Sequence, residues 1–267
     1  MKVSEVSATA TKLNVHGIDV YLEGQGEQVI LMIHGWPDSY RLWDSQVALL
    51  KGKFRCARFS LPGFELSQAP RSASLVEMIG LFKAIADAVS PTQPLTLLLH
   101  DWGCVFGYQF AAQYPERVAR IVGVDVGDSS SKDCLGVLTA KAKLMIAAYQ
   151  LWLALAYKLG GLGTVMTRWM ARTLRCKVDP SMIAAQQNYP YVLQWTGGFK
   201  NAVDFFPHCP FLYLYGRRKP FMFHSPQWLQ RLAASPGSEV HGFATGHWVM
   251  VADPVGFNQK LLAWLSR

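Results

Sequence analysis

The chain has 267 residues, of which 51% are hydrophobic, 12% aromatic and 16% charged. Soluble proteins average about 25% charged residues, so this composition predicts a large apolar core and excludes disordered, collagen-like and low-complexity chains. The formal net charge is +8, and most of the excess lies in residues 129–177, which contain eight basic side chains and one acidic side chain.

Hydrophobic periodicity predicts strands and helices along most of the chain. Alternating apolar positions from Leu13 to Leu22, on either side of His16-Gly17, predict a β-hairpin. A continuous apolar run over 28–33 predicts a strand that is buried on both faces of a parallel sheet. Similar patterns predict strands at 54–59, 95–99, 118–126, 211–215 and 239–243, and helices near 42–50 and at 75–89, 103–114, 226–234 and 254–266.

This alternation predicts an α/β protein with a mainly parallel, doubly wound sheet. Between residue 127 and about residue 200 the alternation stops, and the sequence there is helical, apolar and basic. We therefore expect residues 1–127 and 201–267 to form the core domain. Residues 128–200 are expected to form an inserted helical cap over one end of the sheet.

Cysteine spacing and hydropathy bear on location and cofactors. The five cysteines lie far apart, without the paired spacing of a disulfide framework or a zinc site, which favours reduced thiols in a cytoplasmic protein. The N-terminal residues lack a hydrophobic run, so no signal peptide is expected. The longest apolar stretch, residues 144–157, is too short to span a bilayer. We expect no metal, no cofactor and no nucleic-acid partner.

The first candidate site residue is Asp101, at a predicted strand-to-helix junction. Open parallel sheets place their sites at the carboxyl ends of strands. A side chain on such a turn is held clear of the sheet, beside the backbone N–H of the next residue. A carboxylate that attacks a saturated carbon forms an ester, which water can hydrolyse, whereas a serine would form a stable ether. Asp101 is therefore a candidate nucleophile at sp3 carbon, and the alternative is an N-cap of the helix.

Four segments in chain order resemble a known family. HGWPDS (34–39), LPGFELS (61–67), HDWG (100–103) and GHW (246–248) resemble the α/β-hydrolase fold, specifically its aspartate-nucleophile branch of epoxide hydrolases and haloalkane dehalogenases. The resemblance extends over nearly the whole chain, although the cap matches only loosely.

The resemblance implies roles for individual residues. Asp101 would be the nucleophile and His247 the base that activates water. The backbone N–H groups of Trp36 and Trp102 would form the oxyanion hole. Pro37, in the turn after the first buried strand, would follow a cis peptide bond.

The acid that orients His247 departs from the commonest family pattern. Its usual loop, after the predicted strand 211–215, has Lys219 near the expected position. Haloalkane dehalogenases and some epoxide hydrolases instead place this acid after the strand that follows the nucleophile helix. Matching that pattern assigns the role to Asp125, with Asp128 as the alternative. Leu99 occupies a position that is usually small, which predicts a less tight turn at the nucleophile.

Tyrosines in the cap distinguish epoxide hydrolases from haloalkane dehalogenases within this branch. Epoxide hydrolases usually protonate the opening oxygen with two cap tyrosines. Tyr149 resembles the first of these and Tyr189 the second, while Pro190 disturbs the second match and leaves Tyr191 as an alternative. Each tyrosine has a packing role as its ordinary explanation.

A dehalogenase must bind a halide ion, often with a tryptophan beside the nucleophile and an asparagine in the HGxP turn. Trp102 is present, but position 36 is Trp rather than Asn. The sequence therefore favours epoxide hydrolysis. The alternatives are a haloalkane or haloacid dehalogenase with the same nucleophile and a non-catalytic protein that binds a hydrophobic ligand.

The composition of the cap suggests a lipophilic substrate and a second hypothesis. Arg168, Arg172 and Arg175 fall on one helical face of an otherwise apolar segment. Such a cap is expected to contact anionic membrane surfaces weakly, or acidic amphiphiles. The alternative is a solvated helix face over ordinary packing.

Overall fold

The computed structural model describes residues 10–267. The expectation of no signal peptide concerns the N-terminal residues, and the first nine of these lie outside the described residues. The described chain is built on one sheet of eight strands. The strands are β1 (Thr11–Val15), β2 (Ile18–Glu23), β3 (Val29–Ile33), β4 (Arg55–Phe59), β5 (Leu95–His100), β6 (Val118–Val124), β7 (Phe211–Gly216) and β8 (Glu239–Phe243).

The strand order across the sheet is β1-β2-β4-β3-β5-β6-β7-β8. The predicted hairpin is present, because β1 and β2 pair in antiparallel register from Thr11 opposite Leu22 to Val15 opposite Ile18. β2 and β4 are also antiparallel, and every neighbouring pair from β4 to β8 is parallel. The predicted α/β architecture with a mainly parallel sheet is confirmed.

Ten α-helices are present in residues 10–267. The longest core helix starts where the sequence predicts it, because the Ser74 hydroxyl accepts from the Glu77 N–H and the Glu77 carboxylate accepts from the Ser74 N–H. The helices are α1 (Asp44–Leu50), α2 (Leu75–Val89), α3 (Trp102–Gln113), α4 (Lys132–Val137), α5 (Ala140–Lys158), α6 (Gly160–Thr173), α7 (Tyr189–Trp195), α8 (Pro226–Ala233), α9 (Val249–Ala252) and α10 (Pro254–Leu265).

Two helical layers bury the two faces of the sheet. Side chains of successive strand residues point to opposite faces, so Leu97 and Leu99 pack with α2 and α3, while Leu98 packs with α1 and α10. Apolar side chains bury both faces of the sheet, which explains the continuous apolar runs of the central strands. The core therefore holds the carboxyl ends of β3, β5, β6 and β7 in fixed positions.

Helices α4 to α7 lie between β6 and β7 in the chain and cover these strand ends. Tyr191 of α7 contacts the indole rings of Trp36 and Trp102, which follow β3 and β5. The buried side chains of Leu153, Met170 and Ala171 join the cap to the main apolar core. In residues 10–267, no helix combines the length and the apolar character that crossing a bilayer requires.

Candidate active site

Asp101 lies on a sharp turn between β5 and α3. Its backbone adopts φ 53° and ψ −122°, a strained conformation for a residue with a side chain. The side chain does not cap the helix, which removes the N-cap alternative. Instead, Oδ1 accepts a hydrogen bond of 2.7 Å from the backbone N–H of Trp36. One oxygen of the carboxylate is therefore held by the predicted oxyanion donor, and Oδ2 does not contact that donor.

Gly35 leaves the space that this arrangement needs. A Cβ at this position would lie 2.3 Å from Asp101 Oδ1 and 2.6 Å from the Trp102 backbone nitrogen. The two predicted oxyanion donors thus converge on one small volume. The following Trp36-Pro37 peptide bond is cis, as the motif predicts.

His247 lies in the loop after β8 and contacts both carboxylates predicted for the site. Its Nε2 is 3.3 Å from Asp101 Oδ2. Its Nδ1 makes a short hydrogen bond with Asp125 Oδ2. The structure therefore brings the three predicted catalytic residues, Asp101, His247 and Asp125, into one hydrogen-bonded chain.

Asp125 is fully buried immediately after β6. The strand ends at Val124, two residues earlier than predicted, because Asp125 has a positive φ of 69° and turns out of the sheet. Its Oδ1 accepts a hydrogen bond of 2.8 Å from the backbone N–H of Gly216. The buried carboxylate is thereby compensated at both oxygens.

Lys219 is the second partner of the Asp125 carboxylate. Its Nζ lies 2.6 Å from Asp125 Oδ2 and 5.1 Å from the centre of the Phe223 ring. Lys219 lies in the loop after β7, where the family pattern usually has the acid. It forms a buried ion pair with Asp125, the predicted acid that follows β6. The sequence marks Lys219 as a departure from the family pattern, but it does not predict this contact.

Asp128, the alternative orienting acid, has other partners. Its Oδ1 accepts from the Ser225 backbone N–H at 2.7 Å, and its Oδ2 accepts from the hydroxyls of Ser225 and Ser131 at 2.7 and 2.6 Å. These contacts join α8 to the start of the cap. Asp128 makes no hydrogen bond to His247 in the described chain, so the geometry favours Asp125.

The electrostatics of the three residues follow from burial and mutual charge. Burial opposes protonation of His247, yet the Asp125 and Asp101 carboxylates raise its pKa to about 9. Burial alone would raise the pKa of Asp125, but the Lys219 ammonium and His247 hold it below its ordinary value. Burial likewise opposes ionisation of Asp101, and contact with His247 lowers its pKa. The resting site therefore favours two carboxylates and an imidazolium.

Two of the three candidate cap tyrosines line the same cavity as Asp101. Tyr149 and Tyr191 lie edge to face with ring centres 6.1 Å apart, and both line the cavity that contains Asp101. Burial first, and then the Asp101 charge, raises the pKa of Tyr191 well above its ordinary value. Burial also raises the pKa of Tyr149, with Asp101 adding to the rise. Both hydroxyls are therefore protonated proton donors at neutral pH.

Tyr189 lies elsewhere. Its ring packs against Phe64, and its buried hydroxyl has no hydrogen-bond partner in the described chain. It does not line the cavity that contains Asp101. The geometry therefore favours Tyr191 over Tyr189 as the second tyrosine.

The Trp36 side chain connects the core to the cap. Its Nε1 donates to Asn188 Oδ1 at 2.7 Å, and Asn188 Nδ2 donates to Thr167 Oγ1 at 2.7 Å. The indole N–H of Trp36 is therefore already occupied. Sequence reasoning missed this contact, since it depends on how the cap docks.

Asp38 and His100 also border the site, and neither was predicted. Asp38 Oδ2 accepts from Trp248 Nε1 at 2.8 Å, and burial raises the pKa of Asp38 to about 7. The His100 ring packs against the His247 ring at a tilt of 42°, with ring centres 4.5 Å apart, and burial lowers the pKa of His100 to about 3. Asp38 belongs to the HGWPDS motif and His100 to HDWG, so their positions in these motifs were the available signal.

The cavity above Asp101 has a volume of about 1060 Å³. Its lining combines apolar side chains, including Val105, Ile146, Phe199 and Phe223, with polar and charged ones. Another cavity, of about 400 Å³, borders the β1–β2 hairpin and contains none of the candidate residues. The larger cavity is wide enough for a substrate of drug-like size or longer.

Comparison with known proteins gives one family match and several partial sequence matches. The sequence matches the family described as alpha/beta hydrolase fold over residues 28–254. Probable oxidoreductase EphD of Mycobacterium tuberculosis is 34% identical over 113 residues, which cover 40% of this chain and 19% of EphD. Cis-3-alkyl-4-alkyloxetan-2-one decarboxylase of Shewanella oneidensis is 35% identical over 109 residues, which cover 39% of this chain and 34% of the decarboxylase.

Solved structures match far more of the chain than these curated relatives do. A mutant of an epoxide hydrolase from Bacillus megaterium superposes with a TM-score of 0.72 at 18% identity, covering 96% of this chain and 100% of that chain. At this identity the likeness concerns the fold. The sequence matches span about a fifth of EphD and a third of the decarboxylase.

Proposed function

We propose that this chain, which belongs to the α/β-hydrolase fold family, is an enzyme that opens lipophilic epoxides to diols. The observation that carries the proposal is that the Asp101 carboxylate shares one large cavity with two cap tyrosine side chains, Tyr149 and Tyr191. A carboxylate forms an ester with an sp3 carbon, and tyrosine hydroxyls donate to an oxygen that leaves as an alkoxide. Both halves of epoxide opening are thus represented in one cavity.

In the first step, Asp101 Oδ2 would attack one carbon of the epoxide ring. The bond between that carbon and the ring oxygen breaks, and Tyr149 and Tyr191 donate hydrogen bonds and a proton to the oxygen. The product is a hydroxyalkyl ester of Asp101. Oδ1 stays beside the Trp36 N–H during attack, which leaves Oδ2 as the reacting oxygen.

In the second step, His247 Nε2 would take a proton from water, and the hydroxide would attack the carbonyl carbon of the ester. The Trp36 and Trp102 N–H groups would stabilise the tetrahedral oxyanion. Collapse breaks the bond between the carbonyl carbon and the alkyl oxygen. The proton on His247 then passes to the leaving alkoxide, which releases the diol. The carboxylic acid left on Asp101 gives up its proton, and the tyrosinate formed in the first step takes one back, so the Asp101 carboxylate and the tyrosine hydroxyl are both restored.

The charges around His247 support this order of events. In the resting site the Asp101 carboxylate is among the groups that raise the pKa of His247 to about 9. Esterification removes that negative charge, so the pKa of His247 falls when the ester forms. The histidine therefore becomes a base in the intermediate, where a base is needed.

The contacts of Trp36 favour an epoxide over a halide. A halide leaving group needs N–H donors aimed at it, and the Trp36 indole N–H is bound to Asn188. Trp102 alone would remain as an indole donor next to the nucleophile. A purely ligand-binding role is less well supported, because a binding protein does not need the hydrogen-bonded Asp101, His247 and Asp125.

A second candidate reaction uses the same nucleophile. The match to the decarboxylase of Shewanella oneidensis favours it, because the oxetan-2-one named there is a strained ring with a carbon–oxygen bond. Such a substrate would yield an alkene and carbon dioxide instead of a diol. The products distinguish the two reactions without ambiguity.

The test is a product assay with purified protein. Styrene oxide, long-chain alkyl epoxides, a dialkyl oxetan-2-one and bromoalkanes are supplied separately, and diol, alkene and halide are measured. We expect diol from the alkyl epoxides, and none from the Asp101→Ala variant. Alkene or halide in place of diol would reassign the reaction.

A trapping experiment tests the ester intermediate. His247→Gln should form the Asp101 ester but fail to hydrolyse it, so intact-mass spectrometry should show one added epoxide mass, located on the peptide containing Asp101. His208→Gln, at an exposed position far from the motif residues, is the matched control and should turn over without accumulating adduct. An unmodified His247→Gln protein after prolonged incubation would refute the mechanism.

A further inference from the structure

The cap has an apolar surface exposed to solvent on two neighbouring helices. In α5 the exposed positions recur at Leu144, Leu151, Trp152 and Leu155, a spacing that aligns them on one helical face. In α6, Leu162 and Trp169 are also exposed. We call these six residues the cap patch. Leu144 is 71% exposed, Leu162 64% and Trp169 54%, so more than half of each of these large apolar residues is accessible to solvent.

The two halves of the cap patch are continuous. The Trp152 and Trp169 rings lie 5.2 Å apart, and Trp152 Nε1 donates to the Met166 backbone oxygen at 3.2 Å. A helix on a protein surface normally turns its polar side to water. Here the other side of α5 already packs inward through Leu153 and Ala156. The apolar residues of the patch are therefore additional to those that hold the cap in place.

The two helices that carry the cap patch, α5 and α6, contain basic side chains and no acidic one. Residues 134–178 contain seven basic side chains and no acidic one. None of the six exposed ones takes part in the ion pairs of residues 10–267. The six are Lys141, Lys143, Lys158, Arg172, Arg175 and Lys177.

We propose that the cap patch docks this protein onto lipid bilayers that contain anionic phospholipid. Tryptophan and leucine side chains insert at the boundary between headgroups and acyl chains, while lysine and arginine side chains bind the anionic headgroups. No helix of the described chain spans a membrane, so docking places α5 and α6 flat on the surface. The proposal does not depend on the proposed function.

Charge selects a bilayer over a second copy of the chain. A symmetric dimer through the cap patch would bring the same face of each copy together. That arrangement would set six exposed cations against six others with no acidic partner in residues 134–178. An anionic bilayer satisfies the same cations and also covers the apolar side chains.

The experiment is flotation of the full chain with lipid vesicles in a density gradient. One vesicle type contains phosphatidylcholine alone, and the other contains equal parts of phosphatidylcholine and phosphatidylglycerol. We expect flotation with the anionic vesicles, little with the neutral ones, and loss of binding as salt rises, since each cation contributes about fivefold to partitioning.

Two sets of variants test the two components. Trp152→Ser, Leu155→Ser and Trp169→Ser together remove apolar contacts, and Lys141→Gln, Lys158→Gln and Arg172→Gln together remove charge. Each set should weaken binding at least tenfold. The matched controls change exposed residues outside the cap and should leave binding unchanged. One control set changes Leu49, Val76 and Val255 to Ser, and the other changes Lys51, Lys53 and Lys260 to Gln.

Circular dichroism and turnover of a water-soluble substrate check that the variants are folded. Equal flotation of the variants and the original protein would overturn the proposal, as would absence of flotation with anionic vesicles. Light scattering without lipid measures whether the protein dimerises. Dimerisation that disappears in the apolar variant, without vesicle binding, would assign the cap patch to a second copy and also overturn the proposal.

Discussion

Asp125 shares one carboxylate oxygen between a histidine and a lysine. His247 Nδ1 and Lys219 Nζ both reach Oδ2, and Lys219 has only 7% of its side chain exposed. A cation at this point offsets part of the negative charge that would otherwise stabilise the imidazolium. We infer that Lys219 tunes the basicity of His247 through Asp125 as a positioning residue and does not touch the substrate.

This inference predicts the pH dependence of turnover. In Lys219→Met the full charge of Asp125 acts on His247, so its pKa rises and the acid limb of kcat moves to higher pH by roughly one unit or more. Above that limb kcat should be retained. Lys219→Arg should keep the original profile, and Lys260→Met, at an exposed position outside the cavity, is the matched control. A uniform loss of kcat with no shift of the limb would indicate a structural role alone.

The cap tyrosines give a second prediction at this scale. Tyr149→Phe and Tyr191→Phe each remove a proton donor to the ring oxygen, so each should lower kcat for epoxides about a hundredfold or more. Tyr189→Phe removes a buried hydroxyl without a hydrogen-bond partner, so it should leave kcat unchanged and stability equal or higher. Burst kinetics of ester formation measures the affected step. Equal losses in all three variants would contradict the assignment.

At the scale of elements, α3 adapts to an unusually large residue in β5. Leu99 occupies a position expected to be small, and a Cβ on Gly107 would lie 2.7 Å from both Leu99 Cδ atoms. The glycine in the helix therefore provides the volume that Leu99 fills. The turn at Asp101, between these two elements, has φ 53° and ψ −122°.

This compensation predicts the effects of two glycine substitutions. Gly107→Ala forces extra volume into a packed core and should lower the free energy of unfolding by about 1–3 kcal/mol. Gly80→Ala, in α2, meets no atom within 4 Å, and should raise it by up to about 1 kcal/mol. Urea unfolding at neutral pH compares the two. A stabilising Gly107→Ala would show that Leu99 does not rely on the glycine.

The elements also show which parts of the site sequence alone could predict. Asp101, His247 and Asp125 follow strands, and strand ends are fixed by local apolar runs and by the order of the sheet. Tyr189 and Tyr191 differ by about 200° around a helix, so the choice between them depends on how α7 is rotated against the core. The contacts of Lys219 and Asn188 join distant segments, and no local pattern reports such packing.

At the scale of the whole molecule, buried titratable groups determine how stability depends on pH. Burial lowers the pKa of His34 to about 4, of His100 to about 3 and of His224 to about 4. Unfolding returns each to its ordinary value of about 6.5. Between about pH 4.5 and 6 the unfolded chain therefore binds three more protons at these histidines than the folded chain.

Two groups act in the opposite direction. Burial raises the pKa of Asp38 to about 7, so between pH 4.5 and 6 the folded chain holds one proton that the unfolded chain lacks. The pKa of His247, about 9, lies above its unfolded value, so its contribution to stability is present below about pH 6.5 and is lost as pH rises through about 9. The sum gives a stability maximum near neutral pH.

The net difference below pH 6 predicts an acid dependence that can be measured. Three protons at the histidines, less one at Asp38, leave about two, so the free energy of unfolding should fall by roughly 2–3 kcal/mol per pH unit between pH 6 and 4.5. His224→Gln removes one of the three histidines and should halve this slope. His208→Gln, at an exposed position, should leave it unchanged. Urea unfolding at several pH values measures the slopes. Identical slopes for the two variants would show that His224 is protonated in the folded chain. The acid dependence of the free energy of unfolding would then have to come from groups other than His224.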